Sequence, residues 1–335
     1  MNTLKNKTTP SLGALLRRST LSVGIMALTC MALSATTAQG WTIQDIANED
    51  LPGRSIEIRN DGQRVAGLIY GEGQYKPYLA VYDREGRRIT NPGINAGGKR
   101  IGRFPHHRGI YIGWNHIDSD LGRDDLWHLH NGEHMGMVSL ERQETNADSA
   151  TIEVLIHWLS KDRTDELAGK LIEERRTFTI SRPQGRTQID KRSELTALRD
   201  LKLGGDLQHA GLHFRAAAAV DEVRGETKYL FSPADLPAGN GRIISDDLQW
   251  VNFRFPLFGQ WYSVTQMNAP ENRSTELSWR DYGRFGFFLQ DELKRGETRV
   301  MKSRFIVSEA PVHGEDAALR ATAEADFQAY LKKCH

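Results

Sequence analysis

The sequence predicts an all-β fold, a large antiparallel β-sandwich with one helix at its C-terminal end. Residues 152–158 place apolar side chains at every second position, the alternation of a strand with one buried face. Turn residues recur between such runs, for example Asp61 with Gly62 and the segment 183–185. Many short strands that are joined by tight turns are typical of an antiparallel sandwich.

The C-terminal segment is the exception, because its apolar residues recur at every fourth position. These residues are Leu319, Ala323, Phe327 and Leu331. The spacing predicts a helix over about residues 314–333 with one apolar stripe. We expect that stripe to pack against the edge of the sheet.

Residues 1–40 have the order of a secretory signal peptide: basic residues, an apolar run at 21–35, and then the small residues of "TTAQG". Arg17 and Arg18 leave the twin-arginine route open beside the general one. The apolar run is shorter than the roughly 20 residues of a membrane-spanning helix. We therefore expect an exported protein, periplasmic or extracellular, whose mature part is a single sandwich domain at 41–335.

Charge and cysteine content exclude several classes of protein. The chain carries a formal net charge of +1, and removal of the four basic residues in 1–40 leaves the mature part at −3. That balance argues against nucleic acid or an anionic membrane surface as a partner. Only Cys334 remains after removal of Cys30, so the sequence predicts no internal disulfide.

The first candidate for a functional strand follows two adjacent histidines in "HHRGIYIGWN" (106–115). Its even positions are apolar and predict a core face. Its odd positions, which alternate polar side chains with glycine, are His107, Gly109, Tyr111, Gly113 and Asn115. Strands tolerate glycine where another group approaches the backbone closely, so we expect a ligand on this face. The alternative is a bulged strand with His107 as a hydrogen-bonded buried residue.

A second strand repeats this pattern in "LQHAGLHFR" (207–215). One face carries His209, Gly211, His213 and Arg215. Solvated sheet faces are rarely built from histidine, which favours the wall of a pocket over an exposed polar face. We expect this wall and His107 to line one pocket.

Two further segments add candidate ligand-binding residues. In "DDLWHLHNGEHMG" (124–136), Trp127 offers a flat apolar surface on which a sugar ring can stack. Histidines also bind zinc or copper, so a divalent metal is an alternative, but none of the recognised ligand spacings is present. In "RDYGRFGFF" (280–288), Asp281 is a candidate acid, base or histidine-orienting group, or simply a turn residue.

Together, "PYL" (77–79), "HHRGIYIGWN", "DLWH" (125–128), "GLHFR" (211–215) and "RDYGRFGFF" resemble the PmoA-like family of exported bacterial proteins. The resemblance implies a β-sandwich of the galactose-mutarotase-like kind, a supersandwich, often encoded beside sugar-processing enzymes. Many members of the family have Asp-His-Pro-His-His where this chain has Arg-Phe-Pro-His-His at 103–107.

These observations predict an exported carbohydrate-active enzyme, a lyase or hydrolase, that uses histidine, tyrosine and arginine for acid–base chemistry. The predicted catalytic residues are His107, His209, Tyr111, Arg215 and Asp281. The predicted substrate-binding residues are His106, Arg108, Asn115, Asp125, Trp127, His128, His134, His213 and Tyr282. We expect a saccharide as the partner and no cofactor. The alternative is a glycan-binding module without catalysis.

Overall fold

Within the residues that a computed structural model of the protein describes, two antiparallel sheets of nine and eight strands and a third of four make up the fold. The described residues are 40–161, 166–206, 208–234, 241–274, 276–310 and 316–334. They belong to one compact unit that spans 37–335. Apart from Gly40, the predicted signal peptide lies outside the described residues.

The nine-stranded sheet has the order β1-β2-β3-β4-β5-β13-β19-β18-β15, with strands numbered along the chain. Its strands are β1 (Trp41–Ala47), β2 (Arg54–Asn60), β3 (Gln63–Tyr70), β4 (Tyr78–Val81), β5 (Ile110–Trp114), β13 (Ala210–Arg215), β15 (Arg242–Ile244), β18 (Glu276–Arg280) and β19 (Arg284–Phe288). The Asp61-Gly62 turn joins β2 to β3, as the sequence predicts.

The eight-stranded sheet has the order β14-β16-β17-β21-β11-β10-β9-β8. Its strands are β8 (His134–Thr145), β9 (Ser149–Leu159), β10 (Lys170–Ser181), β11 (Thr187–Ala197), β14 (Lys228–Ser232), β16 (Trp250–Leu257), β17 (Gln260–Asn268) and β21 (Thr298–Ala310). The small sheet contains β6 (His116–Ser119), β7 (Gly122–Asp124), β12 (Leu201–Gly204) and β20 (Asp291–Leu293).

The main core lies between the two large sheets. The apolar face predicted for residues 152–158 packs there, and Trp158 lies 5.7 Å from Trp114 of β5 between ring centres. Ile110 and Ile112 of β5 point into the same core. The all-β sandwich predicted from the alternation is therefore confirmed.

Two helices, α1 (Glu166–Gly169) and α2 (Asp316–Cys334), complete the described structure apart from short 3-10 turns. The predicted C-terminal helix is confirmed as α2. Its apolar stripe packs across the face of β14, β16, β17 and β21 rather than against a strand edge, with Phe327 and Ala323 buried beside Trp250. Arg186, which directly precedes β11 of the same sheet, holds the helix through a bidentate ion pair with Asp326. None of the described helices is both long and apolar enough to cross a membrane.

The outer face of the nine-stranded sheet carries a smaller apolar cluster that includes Tyr111 and Trp127. The polar face of β5 points into this cluster, away from the main core. Long segments between β4 and β5 and between β7 and β8 cover the sheet here, and they bring the predicted site residues onto it.

Candidate functional site

Strands β5 and β13 are neighbours, and their polar faces lie on the same side of the sheet. Tyr111 is paired with His213, and Gly113 with Gly211. Ala210, Leu212 and Phe214 point the opposite way, into the main core. The alternation of both strands therefore places the two predicted polar faces side by side.

The glycines on these strands accommodate the protein's own backbone. A Cβ at position 113 would lie 2.4 Å from the carbonyl oxygen of Leu126, and one at 109 would lie 2.3 Å from that of Leu79. The expectation of a ligand above these glycines is therefore wrong. The space at Gly113 admits the segment that carries Asp125, Trp127 and His128 and so places it on the sheet, whereas the space at Gly109 admits the neighbouring strand β4.

Two Asp–His pairs form the half-buried part of the site. His128 Nδ1 lies 2.7 Å from Asp125 Oδ2, and His209 Nδ1 lies 2.8 Å from Asp206 Oδ2. The two imidazole ring centres are 4.9 Å apart. An aspartate that accepts the Nδ1 proton leaves the Nε2 lone pair of a neutral imidazole free to act as a base. Neither Nε2 has a hydrogen-bond partner among the described residues.

Both aspartates are themselves held in place. Asp125 accepts hydrogen bonds from the backbone N–H groups of Trp127 (3.1 Å) and His128 (2.8 Å). Asn115 donates its amide to Asp206 Oδ2 (3.0 Å), and its side-chain oxygen accepts from the Asp206 N–H (3.1 Å). Asn115, predicted to bind substrate, therefore positions the aspartate that holds His209.

A third half-exposed imidazole, that of His106, lies beside this pair. Its ring centre is 4.6 Å from that of His128 and 4.2 Å from that of His107. His130 lies 5.6 Å from His128. Four predicted residues, His106, His107, His128 and His209, are thus brought into one cluster by the fold, together with His130.

Burial lowers the pKa of two imidazoles at the opening of the site, those of His106 and His209. It lowers the pKa of His106 to about 2, with the Lys76 ammonium as the next cause. Burial also lowers the pKa of His209, although the hydrogen bond to Asp206 opposes this shift. For Asp125, burial raises the pKa, but the hydrogen bonds from His128 outweigh it and the net shift is downward. His106 and His209 are therefore neutral near neutral pH, whereas Asp125 and Asp206, whose pKa values are lowered, are ionised.

Trp127 does not offer a stacking surface. Its side chain is fully buried, and its indole N–H donates to His107 Nε2 over 3.3 Å. It packs edge-on against His213, with ring centres 4.7 Å apart. The prediction that a sugar stacks on Trp127 is therefore wrong, because the sheet glycines let the indole sink beneath the imidazole cluster.

Several other predicted residues form the buried floor of the site. His213 and Tyr111 are fully buried behind Trp127, and His213 donates Nε2–H to the Ala210 carbonyl oxygen (2.9 Å). Arg108 is buried and donates to the Pro105 carbonyl oxygen and the Gln74 side chain. These positions support the site from below rather than contacting a ligand at its opening.

Arg215 is also buried, and its guanidinium is engaged by the protein. It forms an ion pair with Asp221 (2.7 Å) and donates to the carbonyl oxygen of Tyr282, whose ring it faces at 4.7 Å. Tyr282 in turn stacks on Phe104, with ring centres 4.9 Å apart. Both residues therefore border the cluster on the side of His107.

Two predicted residues lie apart from the cluster. The Asp281 carboxylate is half exposed, and its nearest cation is Arg224 at 4.0 Å. His134 is exposed at the start of β8, where its Nδ1 lies 3.1 Å from the Gly132 carbonyl oxygen. In the described part of the chain, no hydrogen bond joins Asp281 to a histidine, so the predicted orienting role is not supported there.

The sequence analysis missed three residues of the site. Asp206 could have been found from the repeated spacing Asp-Leu-x-His, which occurs at 125–128 and again at 206–209. Lys76 is buried, donates to the Trp127 carbonyl oxygen (2.9 Å) and lies 4.5 Å above the Tyr111 ring. Arg284 lies 3.5 Å from His213 Nδ1. A lone Lys in a loop, such as Lys76, or a lone Arg in a strand, such as Arg284, carries no signal of this kind.

The alternative of a metal site finds no candidate set of ligands. Across the described residues, no group of three or more His, Cys, Asp and Glu side chains is arranged to hold a metal ion. In the two Asp–His pairs, the carboxylates are already hydrogen-bonded to the imidazoles.

Comparison of the sequence with protein families identifies its relatives. The sequence model of a family of unknown function, DUF6807, matches residues 55–322, most of the chain. The chain belongs to DUF6807. The expected membership of the PmoA-like family is therefore wrong; the motifs "HHRG" and "DLWH" lie inside the matched range. No curated protein matches the sequence.

Several solved structures are similar to this DUF6807 chain, although their sequence identity to it is low. An α-galactosidase from Geobacillus stearothermophilus has a TM-score of 0.39 at 11% identity, over 73% of this chain and 39% of its own. This chain thus spans about two fifths of that enzyme. A putative aldose 1-epimerase from Escherichia coli K12 has a TM-score of 0.38 at 9% identity, over 81% of this chain and 100% of its own.

A galactose mutarotase related enzyme from Lactobacillus acidophilus has a TM-score of 0.35 at 9% identity, over 82% of this chain and 99% of its own. These three proteins are similar to this DUF6807 chain only in the general arrangement of the backbone. The scores are too low to carry an argument about its activity, which has to be argued from the site.

Proposed function

We propose that the protein is an enzyme that catalyses proton transfer on a saccharide, with His209 and His128 as the acid–base pair. The observation that carries this proposal is the pair of aspartate-held imidazoles, with ring centres 4.9 Å apart. A neutral imidazole takes a proton at Nε2, and a protonated one beside it returns a proton to a neighbouring atom. A module that only binds glycans has no need for two oriented bases.

A saccharide fits the opening of the site. Imidazole nitrogens of His106, His128 and His209 can donate to or accept from hydroxyl groups. The half-exposed Phe104 ring, 6.3 Å from that of His106, borders them with an apolar surface. Hydrolysis through two free carboxylates is disfavoured, because Asp125 and Asp206 are both engaged by histidines. Ring opening, epimerisation or elimination needs only a base and an acid.

The predicted export of the protein forms part of this proposal and rests on residues 1–40 of the sequence. An exported enzyme would meet free sugars or glycan fragments outside the cytoplasm. N-terminal sequencing of the protein from the producing cells tests it, with a mature end near residues 39–41 as the expected result.

The test of the activity is product formation and solvent-deuterium incorporation on a panel of sugars and glycan fragments, followed by NMR and mass spectrometry. Replacement of His209 or His128 by Ala should lower turnover by about 10²–10⁴-fold, the usual contribution of a positioned acid or base. His134→Ala is the matched control, because that imidazole is exposed and lies outside the cluster.

Two results would contradict the proposal. Full turnover in His209→Ala would remove this histidine from the chemistry. Binding of sugars without any turnover in the unaltered protein would instead identify a glycan-binding module, in which His209→Ala weakens affinity by about tenfold.

A further inference from the structure

Three arginines lie side by side on the outer face of the nine-stranded sheet, next to the proposed active site. The strand register pairs Arg280 of β18 with Arg284 of β19, and Arg284 with Arg215 of β13. Like charges at directly opposed positions destabilise a sheet. The protein therefore maintains an arrangement that is unfavourable unless negative charge compensates it.

Among the described residues, only one carboxylate is paired with this arginine row. Asp221 is ion-paired with Arg215, whereas Arg284 has no carboxylate partner although only 1% of it is exposed. Arg284 donates instead to neutral groups, the Gln208 carbonyl oxygen (3.0 Å) and the Ser278 hydroxyl (3.0 Å). Burial of a guanidinium without a counter-charge is unfavourable.

Buried donors that have no hydrogen-bond partner among the described residues lie at the same place. They are the Nε atoms of Arg284 and Arg215, the Tyr111 hydroxyl and His107 Nδ1. His107 Nδ1 carries the proton, because Nε2 accepts from the Trp127 indole N–H. Native proteins satisfy nearly all of their buried polar groups, and these four donors lie at or beside Arg284, where they can donate to an acceptor that enters the site.

Gln208 shows where such an acceptor fits. Its side-chain oxygen accepts a hydrogen bond from Arg280, and its backbone oxygen accepts from Arg284. Two neutral oxygens thus stand where the oxygens of an anion would meet two guanidinium groups. Gln208 directly precedes His209, so an anion held here lies beside the proposed catalytic pair.

We infer that the arginine row binds the anionic group of an acidic saccharide, a carboxylate or a sulfate, after displacement of the Gln208 side chain. Arginine suits both groups, because its planar fork of donors meets two oxygens at once. The choice of a saccharide rests on the proposed function, whereas the preference for an anion rests on the arginine row alone.

The experiment compares the affinities of acidic and neutral sugars by calorimetry at low salt. The probes are galacturonate and galactose 6-sulfate against galactose, and glucuronate against glucose. The expected result is an affinity about 10- to 100-fold higher for the acidic member of a pair, as for a charge-assisted hydrogen bond. Arg280→Gln should reduce the ratio of acidic to neutral sugar affinity at least about threefold. Arg284→Lys provides a second variant, which keeps the buried positive charge but loses the planar fork of guanidinium donors. Arg123→Gln, on an arginine that is 58% exposed, is the control and should leave the ratio unchanged.

The outcomes separate this inference from the proposed function. Equal affinity for acidic and neutral sugars, or an unchanged ratio in both arginine variants, overturns the anion site even if neutral sugars are turned over. Preferential binding of acidic sugars that survives His209→Ala supports the anion site, whether or not any turnover is found. A preference for the sulfated sugar over galacturonate assigns the group as sulfate, and the reverse assigns it as carboxylate.

Discussion

Acid should destabilise the protein through its buried histidines, and His107→Gln isolates one of them. Burial lowers the pKa of His107 well below its usual value, with the neighbouring His106 and then Arg284 as further causes. The unfolded chain titrates this group near pH 6.5. Because the folded pKa is the lower one, its contribution to stability is present above pH 6.5 and is lost as the pH falls below it.

The size of this loss of stability follows from the linkage between proton binding and unfolding. If His107 stays neutral in the folded state, proton uptake by the unfolded chain costs about 1.9 kcal/mol of unfolding free energy between pH 7 and pH 5. No discount for solvent is needed, because only 2% of the residue is exposed. His213, fully buried and with a pKa lowered for the same reason, adds a similar amount.

Urea unfolding at pH 7, 6 and 5 measures the effect. Gln keeps an acceptor for the Trp127 indole N–H but cannot take up a proton, so His107→Gln should lose about 1.9 kcal/mol less than the unaltered protein over this range. His134→Gln, at an exposed position, controls for the loss of a histidine as such. Parallel pH profiles for the unaltered protein and His107→Gln would refute the argument, since they would mean that the buried imidazole is protonated in the folded state.

Three further predictions follow from single contacts. Asn115→Ala should lower turnover by about tenfold with little change in sugar affinity, because it removes the hydrogen bond from Asn115 that positions the Asp206 carboxylate. Steady-state kinetics that show only a change in KM would contradict this. Gly113→Ala should destabilise the protein by about 1–3 kcal/mol in urea unfolding, because its Cβ would lie 2.4 Å from the Leu126 carbonyl oxygen; unchanged stability would mean that the covering segment moves freely. Phe327→Ala should cost about 3–5 kcal/mol by the same assay, the loss of a buried aromatic ring between α2 and the sheet, and a cost below 1 kcal/mol would show that the helix adds little.

Much of the site's layout follows from alternation along two strands. The period of two in "HHRGIYIGWN" and "LQHAGLHFR" assigns each side chain to a face, because successive Cβ atoms of a strand point to opposite sides. The structure keeps these assignments, with Ile112 and Leu212 in the core and Tyr111 and its paired residue His213 on the outer face. Strand assignment itself is local, so it can be read from the residues.

The pairing of distant segments, in contrast, cannot be read from the local residue pattern. A glycine in a strand indicates close approach but does not say what approaches, and at Gly113 it is the backbone of Leu126 rather than a ligand. Trp127 is therefore buried instead of exposed for stacking. For the same reason, the row of Arg280, Arg284 and Arg215 cannot be predicted from the sequence. The three arginines become neighbours only through the register of three strands.

The sequence by itself determined the fold class, the C-terminal helix and the concentration of histidines in two segments, because these depend on local periodicity and composition. Only the tertiary structure decided which histidines are anchored by an aspartate, which lie buried beneath Trp127, and which cations lack a counter-charge. These properties depend on contacts between residues far apart in the chain, such as Asn115 with Asp206, and on the water that such contacts exclude. Desolvation and strand register arise only when the sheet is assembled, and they separate the half-exposed Asp–His pairs from the buried floor beneath them.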